Sequence, residues 1–387
     1  MAVPKLRFKE FKNEWKKIKL KDISTNISYG MNSAATEFDG TNKYIRITDI
    51  DEKTSLYSDT PVSPLGILDD KFLVKENDIL FARTGASTGK SYLYNKTDGK
   101  LYFAGFLIRA NIKKDYNSRF IFEQTKLNKY NNWIKIMSIR SGQPGINSIE
   151  YGNYEFSITH IDEQKKIAIV IELVNKKIEL QQKKIEALKI YKIGLIQESY
   201  NNNCGNKIKM KDLIIQKSIR NAKNEVDNVY SVSNKEGFIL QSEQFKDRTV
   251  ASEDTQNYKI VEKNDFAYNP ARINVGSIAR MKQDVKGIIS PMYICFRGNE
   301  KIIPEYLEYF FKSYKFTYEM NKRLEGSVRM CLSYESMINI PIELPCIEEQ
   351  RKVSDLFNSV GHKINQEESK LKKLNEIKKG LLQKMFI

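Results

Sequence analysis

Cysteine and histidine are scarce. Among 387 residues the four cysteines, Cys204, Cys295, Cys331 and Cys346, lie far apart with no CxxC pair, and His160 and His362 are the only histidines. Structural zinc sites draw on clustered Cys and His, so a metal centre is not expected. Scattered thiols fit a reducing, cytosolic compartment. No recognisable Ser or Cys nucleophile is paired with a histidine base. No apolar run approaches the roughly 18 residues of a membrane span, and the N-terminus has no apolar signal core, so neither insertion nor export is expected. Proline is also rare, with nine in the chain, and the stretches 160–200 and 346–387 have none. Nothing there interrupts a long helix.

Basic residues are plentiful. The formal net charge is +16, which favours a polyanionic partner. Residues 1–159 carry 25 basic against 18 acidic groups, and residues 201–345 carry 22 against 18. The excess is therefore spread over two globular segments and is not a basic tail. The length suggests two or three domains, each large enough for its own core.

The two proline-free stretches are copies of each other. Residues 160–200 align with 346–386 over 41 positions without a gap, at a constant offset of 186 and with 13 identities. Such a repeat must be recognised before the fold is assigned. In the first copy Ile167, Ile171, Val174, Ile178, Ile185, Leu188 and Leu195 follow the spacing of heptad a and d positions. In the second, Val353, Phe357, Val360, Ile364, Leu371, Leu374 and Leu381 fall on the same register. Both seams carry a polar residue at one d position (Gln181, Glu367) and a lysine at one a position (Lys192, Lys378). Polar seam residues fix register and partner at some cost in stability. At about 1.5 Å per residue such a helix is nearly 60 Å long, and two equivalent helices packed on each other are the expectation.

The remaining segments repeat in order. KIKLKDI (Lys17 to Ile23) returns as KIKMKDL (Lys207 to Leu213), so the second half starts near Asn206, after a linker from Asn201 in which Gly205 suits a helix stop. Strands are predicted for Lys43 to Ile50, Asp78 to Thr84, Ser91 to Tyr94 and Leu101 to Ile108, and a helical region for Ser118 to Met137. A glycine loop, Ser141 to Asn147, and the strand YEFSI then lead to the first long helix. In the second half VEKNDFAYNPARINVGSIARM (Val261 to Met281) matches VKENDILFARTGASTGKSYLY (Val74 to Tyr94), placing Asn264 on Asn77 and Asp265 on Asp78. The expected fold is mixed α+β, a tandem of (α/β domain, long helix) with boundaries 1–159, 160–200, 201–345 and 346–387. The helices and domain edges repeat closely, whereas the domain interiors keep their order and change their residues. Two copies that share a partner surface but read different targets would diverge in this way.

Candidate catalytic patterns fail on inspection. Gly85 to Ser91 resembles a phosphate loop, but three residues separate its glycines where a Walker A needs four, and it lies between predicted strands. Tyr268-Asn269-Pro270-Ala271 resembles the Asn-Pro-Pro-Tyr element of amino-methyltransferases without its second proline or its stacking aromatic. Asp49, Asp51 and Glu52 form no nuclease constellation. The chain is not expected to be an enzyme. Its polar turns instead suit nucleic acid, since Arg and Lys can bond guanine and Asn and Gln can bond adenine. The candidate contact set is Arg46, Arg83, Thr84, Ser87, Lys90, Arg140, Gln143 and Asn147 in the first half, and Asn269, Arg272, Asn274, Ser327 and Arg329 in the second.

Taken together the chain resembles the specificity (S) subunit of Type I restriction-modification systems over its whole length. The resemblance is carried by the EQ(K/R)K helix starts, Glu163 to Lys166 and Glu349 to Lys352, by Pro341-Ile342-Glu343-Leu344-Pro345 before the second of them, by NDILFARTGASTGK and by the PKLRFKEF…EW opening. The first helix start departs from the pattern, with Ser157-Ile158-Thr159-His160 lacking the prolines, and the second turn is altered to NDFAYNPARINVG. The resemblance implies a non-catalytic reader of double-stranded DNA with pseudo-two-fold symmetry. Its two target-recognition domains would each bind one half of a split, asymmetric sequence, and the long helices would pack as an antiparallel coiled-coil spacer. It further implies two modification subunits that bind S-adenosylmethionine and methylate adenine, restriction subunits that use ATP and Mg, and a cytoplasmic, nucleoid-associated location. The alternatives are the specificity chain of a Type IIG-like system, or a DNA-binding coiled-coil adaptor or regulator without a methyltransferase.

Overall fold

The computed structural model describes residues 3–52, 54–58, 60–139, 142–201, 205–234, 236–244, 254–326 and 329–387. These form two compact units, one of residues 1–182 with 370–387 and one of residues 183–369.

In the first unit Lys16–Lys19 pairs antiparallel with Glu155–Ile158, bringing the two ends of the domain together just before the long helix. The main sheet is four-stranded and antiparallel, in the order Ser24–Tyr29, Leu107–Ile112, Asp78–Ala82, Ser91–Leu93. Every residue of Asp78–Ala82 is buried, because its alternate side chains enter different cores. Ile79 and Phe81 join a cluster with Ile108, Phe120, Tyr151 and Phe156. Leu80 and Ala82 face Ile45, Leu101, Phe103 and Leu107. A strand covered on both faces reads as a continuous apolar run, as DILFA does. The strand expected at Lys43 to Ile50 is shorter. It covers Lys43–Ile45, pairs parallel to Leu101–Phe103, and gives way to a 3-10 turn at Ile47–Asp49. The helical region is two helices, Ser118–Gln124 and Asn128–Met137.

The second unit opens with Asn206–Lys209 paired antiparallel to Pro341–Leu344. Its main sheet is ordered Ile214–Lys217, Ile294–Gly298, Asp265–Tyr268, Ile278–Arg280, again antiparallel throughout. A second four-stranded sheet consists of Gly237–Leu240, Val229–Ser233, Gly287–Ile289 and Lys259–Val261. The helices Pro304–Phe310 and Tyr314–Asn321 cover the main sheet, burying Phe310 and Phe316 with Phe266 and Phe296.

Two devices recur at matched positions. Asn77 and Asn264 both adopt φ of 71°, a left-handed conformation that asparagine tolerates better than most residues. The aspartate that follows each is buried. Asp78 accepts from the Lys75 amide (2.7 Å) and the Asn111 side chain (2.6 Å), and burial raises its pKa despite these bonds. Asp265 accepts from the Glu262 amide (2.8 Å), Lys217 (2.8 Å) and Arg297 (2.6 Å). The second device is the glutamine of the EQ motif. Gln164 accepts from the Asn117 amide (3.0 Å) and donates to the Thr159 carbonyl (2.7 Å). Gln350 accepts from the Ile303 amide (2.8 Å) and donates to the Pro345 carbonyl (3.0 Å). Each glutamine thus ties its long helix to the start of another helix and to the segment that leads in.

The long helices are Ile161–Asn201 and Ile347–Met385, and they pack together. In the first unit Ile167, Ala168 and Ile171 share a core with Leu382, Met385 and Phe386. In the second, Leu195, Ile196 and Tyr200 share one with Val353 and Phe357. Among the seam positions Ile171, Ile185, Phe357, Ile364 and Glu367 are buried, and Val174, Ile178, Gln181, Leu188, Val360, Leu371 and Leu374 are half-buried. The Glu367 carboxylate, 1 % exposed, lies 3.2 Å from Lys184 and 3.6 Å from Lys363. Lys192 runs against Gly361, where an added Cβ would sit 2.7 Å from its Nζ. Burial there, with Lys312 and Lys282 nearby, lowers the Lys192 pKa.

Candidate nucleic-acid interface

Two turns that are far apart in sequence, 83–90 and 142–147, form one surface in the first unit. The loop after Asp78–Ala82 makes a 3-10 turn at Gly85–Ser87 and returns at Lys90, with Gly85 and Gly89 at φ of 72° and 93°. Gly89 also has no room for a side chain, since a Cβ would fall 2.8 Å from Ile134. The loop joins antiparallel strands, Ile79 opposite Leu93, so its amides do not open a helix as a phosphate loop requires. It is fastened to the second turn by two backbone hydrogen bonds. Ile146 N donates to the Arg83 carbonyl (2.9 Å) and Gly85 N donates to the Pro144 carbonyl (2.9 Å), which together make an antiparallel bridge between Thr84 and Gly145.

Arg83 is the best-mounted cation of this surface. Its guanidinium lies 4.8 Å from the centre of the Tyr29 ring and donates to the Gly105 carbonyl (3.3 Å). The Tyr29 hydroxyl accepts from Ser148 N (3.1 Å). Burial acts to raise the Tyr29 phenol, but the Ser148 hydrogen bond and the Arg83 charge outweigh it and hold the pKa below the ordinary tyrosine value. Ser87 and Lys90 are half-buried, while Gln143 and Asn147 are exposed. Asn147 caps the helix Ser148–Gly152, its side-chain oxygen accepting from Glu150 N (2.9 Å). Arg46 is held by Asp49 through two side-chain bonds of 2.9 and 2.8 Å. That hydrogen bonding raises its pKa.

In the second unit the loop after Asp265–Tyr268 is fastened likewise. Leu332 N donates to the Pro270 carbonyl (3.1 Å), and the Tyr268 hydroxyl donates to the Leu332 carbonyl (3.2 Å). Arg272, Asn274 and Arg329 are exposed on the joined loops. Asn269 is 7 % exposed, and its side chain accepts from Ala271 N (3.0 Å), so it shapes the turn. Arg140 and Ser327 lie outside the described residues. The sequence reading missed Tyr29. Its signal was an aromatic beside Gly30, a glycine whose Cβ position is 2.2 Å from the Ala104 carbonyl oxygen.

The arrangement presents hydrogen-bond donors on short, braced loops at one end of each main sheet. Such loops suit contacts to phosphates and base edges. Among the described residues no helix is long and apolar enough to cross a membrane.

Known proteins are similar to this chain in sequence over its first half and in fold throughout. Residues 12–189 match the model of the Type I restriction modification DNA specificity domain. The fold is similar to the Type I restriction-modification S subunit from M. genitalium, at 16% identity and a TM-score of 0.60, covering 100% of this chain and 99% of that one. It is also similar to a chain from a study of complex assembly and conformational transition of the type I R-M system (12%, TM-score 0.58, covering 96% and 97%). A third similar structure is the HsdS subunit from Thermoanaerobacter tengcongensis (13%, TM-score 0.51, covering 98% of each). Over residues 12–189 the chain is thus similar to the Type I restriction modification DNA specificity domain. Over its whole length it shares the mixed α+β fold of these S subunits.

Proposed function

We propose that this chain reads a bipartite, asymmetric DNA target, one half with residues 1–159 and the other with residues 201–345. The observation that carries the reading is the shared loop clip. Ile146 N to the Arg83 carbonyl and Leu332 N to the Pro270 carbonyl are the same fastening at matched positions, yet the side chains displayed around them differ. A common mount with different contents is what two readers of different half-sites need. Arg83, Thr84, Ser87, Lys90, Gln143 and Asn147 serve the first half-site, and Arg272, Asn274 and Arg329 the second. Arg46 and Asn269 hold the backbone of these surfaces in shape.

The long helices act as an antiparallel spacer in a tandem, pseudo-two-fold molecule. This is supported by the start of the first packing with the end of the second in one unit, and the reverse pairing in the other. A spacer of fixed length sets half-site separation, as subunit geometry does in dimeric readers whose half-sites lie about 34–36 Å apart. Its polar outer face docks two methyltransferase subunits. S-adenosylmethionine belongs to those partners, and ATP and Mg to restriction subunits that join them.

Expressed with its modification subunits, the chain should co-purify bound to two of them, and the complex should methylate adenines in one split motif. The purified chain alone should neither methylate nor cut DNA. Robust activity from the chain alone would sink the reader model, and failure to bind a methyltransferase would favour an adaptor or regulator. Lengthening both long helices by whole heptads should change the spacer between half-motifs and leave each half-motif as it was. Unchanged spacing would show that the helices are not the ruler.

A further inference from the structure

Beside each fastened loop pair stands a short turn with an exposed apolar side chain at its third residue. In the first unit the turn is Ala104 to Leu107, closed by Leu107 N donating to the Ala104 carbonyl (2.8 Å). Its third residue, Phe106, is 62 % exposed. In the second unit Tyr293 N donates to the Ser290 carbonyl (3.1 Å), and Met292, again third, is 60 % exposed. A lone exposed apolar residue is ordinary on protein surfaces and carries no message by itself.

Three features separate these turns from that background, the first of them in the first unit alone. The first turn is braced on all sides. Ala104 N donates to the Ile45 carbonyl (3.0 Å), Gly105 N to the Met31 carbonyl (2.8 Å), and the Phe106 carbonyl accepts from Arg83 N (3.1 Å). The aromatic ring is therefore presented by a fixed backbone. The second feature is placement. Ala82 pairs with Leu107 and Tyr268 with Ile294, so each turn emerges at the end of the sheet where the candidate DNA-contact loop emerges. The third is recurrence at one turn position in two domains whose displayed residues otherwise differ.

We propose that Phe106 and Met292 each touch the 5-methyl group of a thymine, one in each half of the DNA target. This rests on the DNA-reading function proposed above. The neighbours decide the chemistry. Arg83 and Gln143 are suited to the guanine and adenine edges of the major groove. An apolar side chain on the same face meets one apolar feature in that groove, the thymine methyl. Each half-motif accordingly contains a thymine whose methyl group contributes to affinity.

The test uses the complete complex with its modification subunits and duplexes in which single thymines are replaced by uracil, which removes only the methyl group. One replacement in the first half-motif should weaken binding by wild type about three- to fivefold, the worth of one buried methyl group. The same replacement should leave binding by Phe106→Ser unchanged, because the contact is already gone. Met292→Ser should behave in the same way toward one thymine of the second half-motif. Phe106→Leu should keep the uracil effect, which shows that apolar contact is what matters. Equal uracil effects in wild type and Phe106→Ser, or a half-motif without thymine, would overturn the proposal. A 2-aminopurine fluorescence rise that depends on Phe106 without any uracil effect would also overturn it, in favour of insertion between bases. Arg83→Ala serves as the separating control. If it weakens binding while Phe106→Ser does not, the reader stands and the methyl contact falls. If neither wild type nor variants bind the motif, the reader itself falls.

Discussion

On the proposed bipartite reading, replacing residues 1–159 with the matching domain of a Type I specificity subunit is expected to rewrite one half of the methylated motif and leave the other half intact. Sequencing of methylated adenines in a strain that makes the complex would report both halves at once. The exchanged segment is structurally closed. Its first strand, Lys16–Lys19, pairs with its last, Glu155–Ile158, and the main sheet and both fastened turns lie between them. The loops that carry Arg83 and Gln143 therefore travel with the framework that aims them. Each mismatched base pair costs about 1–3 kcal/mol, so even a short half-motif discriminates by two orders of magnitude or more. The graft has one structural condition. Trp15 and Phe120 pack against Phe386, with Phe120 5.1 Å from it between ring centres, and Gln164 accepts from the Asn117 amide. A donor domain must keep residues of that kind at those places to seat the helices. A change in both halves of the motif would contradict the modular assignment.

The sequence was most legible where physics leaves one solution. The apolar run DILFA could be read as a strand because both its faces are covered, and the proline-free heptads could be read as long helices whose seam positions prove buried or half-buried. The recurrence of Asn77 and Asn264 was visible, though its reason was not. It is the positive φ that each adopts ahead of a buried aspartate. The EQ motif had a family meaning in sequence, and in structure Gln164 and Gln350 are joints between the long helices and their domains. Local partners were less legible. Arg46 and Asn269 carry donors suited to DNA, and the identity of a side chain does not say whether a neighbour engages it. Asp49 bonds the Arg46 guanidinium, and the Ala271 amide donates to the Asn269 side-chain oxygen. Lys43 to Ile50 alternates as a strand should, but the Arg46–Asp49 pairing closes a 3-10 turn after three residues. What the sequence could not convey is that the 83–90 and 142–147 turns meet. Their joint is made of backbone hydrogen bonds, which leave little trace in residue identity.

Arg7→Ala is expected to destabilise the first unit by about 3 kcal/mol, far more than loss of an ordinary surface arginine. Arg7 grips the Glu163 carboxylate with two bonds of 2.8 Å, and Thr159 donates a third of 2.5 Å. Glu163 is 0% exposed and Arg7 13%. Removing the arginine strands a buried carboxylate, and breaking such a pair costs about 3–5 kcal/mol. The lower end applies because the space left by the guanidinium opens to solvent at one edge. The probe can be specific to this unit, since Trp15 and Trp133, the two tryptophans of the chain, both pack against its core. Tryptophan fluorescence during urea unfolding therefore follows the first unit while far-ultraviolet circular dichroism follows both. With a slope of about 2 kcal/mol per molar urea, the fluorescence midpoint should fall by about 1.5 M. Adding Glu163→Gln to Arg7→Ala should recover more than half of the loss. The amide keeps an oxygen for the Thr159 hydroxyl and removes the stranded charge. A midpoint unmoved by Arg7→Ala, or a double variant no better than the single, would mean that the opening PKLRFKEF segment is not anchored through this pair. Anchoring gives that segment its place in the molecule. Arg7 ties the N-terminal stretch to the first turn of the long helix, the same turn whose Gln164 holds the Ser118–Gln124 helix, so the first domain is fixed to its long helix from two sides.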